Sequence, residues 1–179
     1  MELIGGKMPD VVGIVGSRGP NAEQGRLTGW PQSRYPLVLN LMARIIKIRR
    51  DAGLIATIVS GGASSGVDYQ VRLGARSLGM CFAEHMDTDP TSVDCPNDHF
   101  HEFKALWRGP DGKLNRQAGF ERNDKLVRHC GLVIALFADG ERTPGTSDTL
   151  RRAKHHDIPS LIYHEGTWTY EGKAPARSI

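Results

Sequence analysis

The stretch that decides the fold is Ile58-Val-Ser-Gly-Gly-Ala-Ser-Ser-Gly-Val-Asp68. A short β-branched run enters a loop of glycines and serines, and an amphipathic segment over residues 66–78 follows. A buried strand that leads through such a loop into a helix is typical of a parallel α/β sheet. Small side chains, exposed amides and the positive end of a helix dipole meet there, which suits a phosphate group. Asp68 falls in the first helical turn, where it can cap the helix or hydrogen-bond a ligand hydroxyl.

The same alternation of apolar runs and amphipathic segments continues on both sides of this stretch. Apolar runs predict strands at 11–15, 56–59, 80–83, 132–137 and 159–163. Helical spacing predicts helices at 36–50, 66–78, 119–130 and 147–156. The run 132–137 is the most apolar and is expected to be central, and the tail with Trp168 and Tyr170 to form an edge strand. We therefore expect one α/β domain over residues 1–179, with its core at about 11–163. Its mostly parallel sheet of about five strands would carry helices on both faces.

Residues 86–118 interrupt the alternation. They contain several Asp and Pro residues, little apolar periodicity and the turn sequence Gly109-Pro-Asp-Gly112. This pattern predicts a long loop excursion, which is uncommon in compact domains and often functional. The sequence leaves open whether the loop covers a site or joins a partner chain.

Composition limits the class of protein. Of 179 residues, 39% are hydrophobic and 24% charged, as in ordinary soluble domains. No apolar run reaches the roughly 20 residues that span a bilayer, and the N-terminus does not resemble a secretory signal, so we expect a cytoplasmic protein without membrane association. Three cysteines without a C-x-x-C pair favour a reducing compartment, with Cys81 and Cys130 as core residues. The net charge of +3 does not by itself imply nucleic-acid binding.

Three further segments could carry chemistry. Gly13-Ile-Val-Gly16-Ser17-Arg18 ends a strand, where it forms either a phosphate-binding turn or a tight turn with a surface arginine. Gly119-Phe-Glu121-Arg122-Asn123-Asp124 opens a helix and is either an ordinary charged helix start or a source of a phosphate-binding cation. Pro144-Gly145-Thr146-Ser147 follows another strand. Because strands of a parallel sheet end at one edge, the two glycine loops together predict a ligand site there.

Cys95, His99 and His101 are the candidate metal ligands. Only three such residues cluster, so a polar loop is the preferred interpretation, and we expect neither a metal nor a cofactor.

The four motifs resemble a known superfamily. Gly13–Arg18 with Ile58–Asp68 is similar to the Rossmann-like domain of the DNA-processing protein A family. Gly119-x-x-Arg122-Asn123 and Pro144-Gly-Thr146 resemble the lysine-decarboxylase-like phosphoribohydrolases. Together, over residues 11–163, they resemble small stand-alone phage or bacterial members of the SLOG superfamily. The resemblance implies a Rossmann-like fold, a homodimer and a nucleotide pocket. The implied lining is Gly16, Ser17, Arg18, Ser60, Gly61, Gly62, Asp68, Arg122, Asn123, Gly145 and Thr146.

One departure from the family pattern concerns catalysis. The phosphoribohydrolases carry Pro-Gly-Gly-x-Gly-Thr-x-x-Glu, and aligning Gly145-Thr146 puts Thr149 at the glutamate position. A hydroxyl cannot replace a carboxylate as general base. We therefore expect a module that binds a nucleotide-derived ligand, as a sensor or sequestering protein. The first alternative is a nucleoside monophosphate N-glycosidase that uses Asp68, Glu121 or Asp148, and the second is single-stranded DNA binding.

Overall fold

The computed structural model describes residues 8–20, 28–83, 97–105, 115, 117–140 and 143–173. Strands and α-helices follow one another along the chain. They are β1 (Val11–Gly16), α1 (Tyr35–Asp51), β2 (Thr57–Gly61), α2 (Val67–Ser77), β3 (Cys81–Ala83), β4 (His99–Phe103), α3 (Ala118–Arg128), β5 (Leu132–Leu136), α4 (Pro144–His155), β6 (Ser160–His164) and β7 (Thr167–Glu171).

The strands form one sheet in the order β3-β4-β2-β1-β5-β6-β7. Every pair is parallel except β6 with β7, where Ile162 lies opposite Thr169. The predicted α/β class with a mostly parallel sheet is confirmed, but the described sheet has seven strands rather than five. β1 lies in the middle of the sheet and β5 lies directly beside it. The expectation that the run 132–137 is central was therefore wrong by one strand.

The sequence predicts one of the two additional strands, β7, and misses the other, β4. β7 confirms the predicted edge strand. β4 lies inside the stretch 86–118 that the sequence predicts as a loop, so that interpretation is wrong for 99–103. All five residues of β4 are buried, although three of them are His or Glu. Charged and imidazole side chains conceal the apolar pattern that normally identifies a buried strand. Outside β4, the structure describes the predicted loop 86–118 only at residues 97–98, 104–105, 115 and 117–118.

Apolar layers cover both faces of the sheet. On one face, Ile14 and Ile134 pack under α1 and α2, with Met42 and Val71 among their partners. On the other face, Val15 and neighbouring strand residues pack under α3 and α4. Alternate residues of a strand point to opposite faces, so β1 contributes to both layers. The helices on both faces leave the carboxyl ends of the strands as the open edge of the domain.

The cysteines only partly match the prediction. Cys130 is free and buried, as expected of a core residue. Cys81 is disulfide-bonded, so it does not support the expectation of a reducing compartment. Within the described ranges, no helix combines the length and apolar character needed to cross a membrane.

Candidate functional site

A cavity of about 260 Å³ opens at the carboxyl ends of β1 and β2, beside the second turn of α3 and the first turn of α4. In the sheet, β2 lies on one side of β1 and β5 lies on the other side, so the strand order reverses at β1. Such a reversal of strand order separates the neighbouring loops and creates a crevice in which ligands bind in open α/β sheets. The cavity is lined by Val15, Gly16, Arg18, Ala63, Asp68, Arg122, Asn123, Thr143, Pro144, Gly145, Thr146 and Thr149.

Seven of the eleven residues predicted to bind ligand line this cavity. They are Gly16, Arg18, Asp68, Arg122, Asn123, Gly145 and Thr146. The other four, Ser17, Ser60, Gly61 and Gly62, lie behind the wall and hold its loops together. The four sequence motifs therefore do meet at one place, although not every residue in them faces the cavity.

Both predicted serines are buried and bonded to the protein. The Ser17 amide donates to the Leu136 carbonyl at 2.9 Å, and the Ser17 hydroxyl accepts from the Ala138 amide at 3.1 Å. The Ser60 hydroxyl donates to the Ile14 carbonyl at 2.7 Å. These bonds connect the ends of neighbouring strands, so the serines fix the loops that form the site.

The glycines of the β2–α2 loop serve close packing. A Cβ at Gly61 would lie 1.8 Å from Arg122 Nη1, so only glycine lets this guanidinium cross the loop. The Gly62 amide donates to the Phe103 carbonyl at 2.9 Å. The Val67 amide at the start of α2 donates to the Ser17 carbonyl at 3.1 Å. The amides of Gly62 and Val67, which belong to the predicted phosphate-binding loop, therefore already donate to protein carbonyls.

Asp68 is a buried carboxylate at the cavity wall. Its Oδ2 lies 3.7 Å from Arg122 Nη1 and accepts a long bond of 3.4 Å from the Ala63 amide. Burial raises the pKa of Asp68 from the ordinary 3.8 to about 6, although the nearby Arg122 and the bonds from Ala63 and Ser60 oppose this increase. Asp68 therefore changes charge near neutral pH, as a proton-transferring group does.

The open end of α4 forms the opposite wall. Pro144 occupies the first turn, and no side chain caps the amides of this end in the part of the chain that the structure describes. The Thr143 and Thr146 hydroxyls lie 2.9 Å apart and hydrogen-bond each other. Among the residues that the structure describes, none lies within 4 Å of where a Cβ on Gly145 would be. The positive end of the helix dipole therefore faces the cavity with little protein around it.

The other two candidate carboxylates do not line the cavity. Glu121 is exposed, and its Oε2 lies 3.5 Å from the Asn115 amide nitrogen. Asp148 is buried on α4. Burial alone would raise the pKa of Asp148, but hydrogen bonds from Arg152, Arg151 and Asn123 outweigh that effect and lower the pKa. Asp148 stays ionised and bound to protein, so Asp68 is the only one of the three candidates placed to contact a ligand.

Five lining residues were not predicted from the sequence: Val15, Ala63, Thr143, Pro144 and Thr149. Val15, Ala63 and Pro144 lie inside the predicted motifs, and Thr143 directly precedes one of them. Helix α4 begins at Pro144, three residues before the predicted start, and proline in the first helical turn is a signal that could have located it. Thr149 lines the cavity one turn further on, and its hydroxyl donates to the Gly145 carbonyl at 3.1 Å.

The loop that carries Arg18 is anchored by Trp30, for which the sequence predicted no role. The Trp30 amide donates to the Arg18 carbonyl at 2.9 Å, and the Trp30 indole donates to Gln70 Oε1 at 2.8 Å. Trp30 is fully buried and thereby connects this loop to α2. In the sequence, Trp30 is a single tryptophan in a polar segment. Nothing in that segment indicates that it contacts the Arg18 loop.

Basic residues of α1, which could supply an electrostatic attraction to DNA, are mostly paired with acids. Arg49 is buried against Asp10 at 2.8 Å, and Arg50 lies 2.5 Å from Asp98. Lys47 pairs with the acidic residue one helical turn ahead of it. A phosphate backbone would have to compete with these partners, which weakens the electrostatic argument for DNA.

The structure describes two of the three candidate metal ligands. His99 and His101 are buried in β4, and Cys95 lies outside the described residues. Across the described ranges, no three His, Cys, Asp or Glu side chains are grouped so that they could hold a metal ion.

Comparison with known proteins adds no assignment. No model of a known protein family matches the chain, and no curated protein matches it significantly.

Proposed function

We propose that the chain binds a nucleotide or nucleotide-derived phosphorylated ligand in this cavity, as a sensor or sequestering protein. The observation that carries the proposal is the meeting of Arg18, Arg122 and the uncapped start of α4 around one cavity at the strand-order reversal. Two guanidinium groups and a helix N-terminus attract an anion through complementary charge and donated hydrogen bonds. Asp68 on the same wall supplies an acceptor for a sugar hydroxyl.

Binding without turnover is favoured by the number of carboxylates available. Hydrolysis of a glycosidic bond commonly uses one carboxyl group as an acid and a second as a base or nucleophile. Among the described residues that line the cavity, Asp68 is the one carboxylic acid. Thr149 stands where the resembling phosphoribohydrolases carry a glutamate, and Asp148 is ionised and bound by two arginines.

The test is to identify what the purified protein carries and what it leaves intact. Natively purified protein is heat-denatured and the released small molecules are analysed by mass spectrometry. The same preparation is incubated with nucleoside monophosphates, NAD, ADP-ribose and cyclic nucleotides. An intact nucleotide in the released fraction, with the panel unhydrolysed, is the expected result. No bound nucleotide and no measurable affinity for any member of the panel contradicts the proposal.

The second candidate is an N-glycosidase, and the raised pKa of the Asp68 carboxyl group at the cavity wall favours it. A buried carboxyl group with a pKa of about 6 beside a guanidinium can protonate a leaving base or activate water near neutral pH. Water would be consumed, and a nucleoside monophosphate would yield free base and ribose phosphate. Base release that Asp68→Asn abolishes supports this candidate. No release at high protein concentration excludes it for the nucleotides tested.

A further inference from the structure

Asn123 is held at the cavity wall by two hydrogen bonds from its side-chain amide. Its side-chain nitrogen donates to the Gly145 carbonyl at 3.2 Å and to Asp148 Oδ2 at 3.1 Å. An amide nitrogen carries two hydrogens, so these two bonds use both. Because Asn123 is 95% buried yet lines the cavity, the group it can offer to a ligand is its side-chain oxygen.

The direction of this amide is determined by the chemistry of its partners. The Gly145 carbonyl can only accept a hydrogen bond, and the ionised Asp148 carboxylate can only accept. Turning the amide over would bring its oxygen against two acceptors and leave its nitrogen facing the cavity. Repulsion at both contacts makes that orientation costly in a buried position.

Asp148 is itself held in place from outside the cavity. Arg152 Nε donates to Asp148 Oδ2 at 2.8 Å, and Arg151 donates to Oδ1 at 2.5 Å. Arg152 also pairs with Asp124 on α3 at 3.1 Å, so the two helices are connected at this point. The carboxylate is thus ionised, oriented and unable to rotate away from Asn123.

We propose that Asp148 is a positioning residue: it holds Asn123 so that the amide oxygen faces the cavity, where it accepts a hydrogen bond from a sugar hydroxyl of the ligand. This inference rests on the proposed nucleotide binding. Arg18 and Arg122 line the same cavity and disfavour a cationic donor there. Asn123 and Asp68 are both acceptors, and the neighbouring hydroxyl groups of a ribose match such a pair.

The first measurement needs no ligand. Side-chain amide signals of Asn123 are assigned by NMR through their loss in Asn123→Ala, and their solvent exchange is compared in wild type, Asp148→Asn and Asp124→Asn. We expect slow exchange in wild type and in Asp124→Asn, because Asp124 also pairs with Arg152 but forms none of the bonds to Asn123. Asp148→Asn keeps the size of the side chain but brings in a competing donor, so exchange should accelerate at least tenfold. Fast exchange in wild type overturns the positioning role.

The second measurement uses AMP, 2′-deoxy-AMP and 3′-deoxy-AMP as probes in titration calorimetry. Wild type should bind AMP at least about tenfold more tightly than one of the deoxy compounds, because a buried acceptor would lose its donor. This ratio should fall towards one in Asn123→Ala and Asp148→Asn and persist in Asp124→Asn. The double variant Asn123→Ala/Asp148→Asn should discriminate no less than Asn123→Ala alone, since Asp148 acts through Asn123.

The outcomes separate the two proposals. If no nucleotide binds to wild type, the proposed function fails, and the exchange measurement still decides whether Asp148 positions Asn123. If AMP binds and both deoxy compounds bind equally well, nucleotide binding stands and the hydroxyl contact is overturned. A ratio that survives in Asp148→Asn but disappears in Asn123→Ala overturns the role of Asp148.

Discussion

The two glycine loops at the carboxyl edge of the sheet look alike in sequence and differ in structure. In the β2–α2 loop, Gly61 lies against Arg122, and Gly66 has φ +79° with its α-carbon packed against the backbone of the β1 loop. At the start of α4, a Cβ on Gly145 would meet none of the described residues within 4 Å. The loop richer in glycine is therefore the more enclosed one.

This difference shows that glycine content does not distinguish a loop that binds phosphate from one that packs closely. Glycine permits near approach of any group, whether a ligand or another part of the chain. In the β2–α2 loop, protein groups have taken that space, and amides of Gly62 and Val67 already have carbonyl partners. The α4 loop retains an uncapped helix end beside the cavity. We therefore expect substitutions in the first loop to change stability and substitutions around the second to change binding.

The largest effect is expected for Gly66→Ala. The residue has φ +79°, and a Cβ there would lie 2.3 Å from the Ser17 carbonyl oxygen and 2.5 Å from the Gly19 amide nitrogen. Backbone strain and overlap with backbone atoms that cannot rotate away should together cost about 4 kcal/mol or more. Urea unfolding followed by circular dichroism measures this cost. A loss below about 1 kcal/mol would mean that the loop is as open as the α4 loop.

The next effect concerns how Asp68 changes the pH dependence of stability. Its pKa is raised from 3.8 to about 6 in the folded state, so between these values the folded protein holds a proton that the unfolded chain has released. The stability of wild type relative to Asp68→Asn should be highest below pH 4. It should fall by roughly 2 to 3 kcal/mol as pH rises to 6, and then level off.

Asp124→Asn is the control of opposite sign for this measurement. Hydrogen bonding to His156 lowers the pKa of Asp124 to about 2, so its contribution is present above pH 4 and is lost as pH falls towards 2. Unfolding free energies of the three proteins from pH 2 to 8 check both signs. A flat difference between wild type and Asp68→Asn contradicts the raised pKa.

Removal of a cavity cation should change binding more than folding. Arg122→Gln deletes one of the two guanidinium groups at the cavity, and a charge-assisted contact to phosphate is worth about 1.5 to 3 kcal/mol. We expect affinity for a bound nucleotide to fall about 10- to 100-fold. Arg128→Gln on the same helix is the matched control, because Arg128 pairs with Asp124 on the surface. Equal losses in both variants would indicate general electrostatic attraction instead of a site.

The smallest effect on stability is expected for Gly145→Ala. A Cβ there meets no part of the described chain within 4 Å, and the residue lies in the first turn of α4, so the free energy of unfolding should change by less than about 1 kcal/mol. Urea unfolding beside Gly66→Ala gives the direct comparison of the two loops. A loss as large as that of Gly66→Ala would remove the distinction between them.

Much of the fold was predictable because apolar periodicity reports burial. The runs of β1, β2, β5 and β6 are buried in the structure where the pattern placed them, with boundaries shifted by one or two residues. β4 was missed because His99, His101 and Glu102 are buried in it. Arg72 on α2 forms an ion pair with Glu102, and such a partner on a distant segment cannot be read from local sequence.

The candidate site was predictable in its location and less so in the roles of its residues. Motifs that follow parallel strands must meet at one edge, and seven of the predicted residues do line one cavity there. Which residue faces the cavity depends on neighbours from other elements. Ser60 turns to the Ile14 carbonyl of β1, and Asp148 accepts a hydrogen bond from Asn123 of α3, so neither was assignable from its motif alone.

The sequence by itself determined the layers of the domain, the direction of its strands and the edge at which its glycine motifs gather, because these follow from periodicity and from the geometry of parallel strands. Only the tertiary structure decided which glycine loop is filled by protein and which is open. It also decided that Asp68, and neither Glu121 nor Asp148, faces the cavity. Contacts between segments far apart in the chain decide both points. Arg122 packs over Gly61, and Asn123 bonds to Asp148, and neither contact can be predicted from one motif alone.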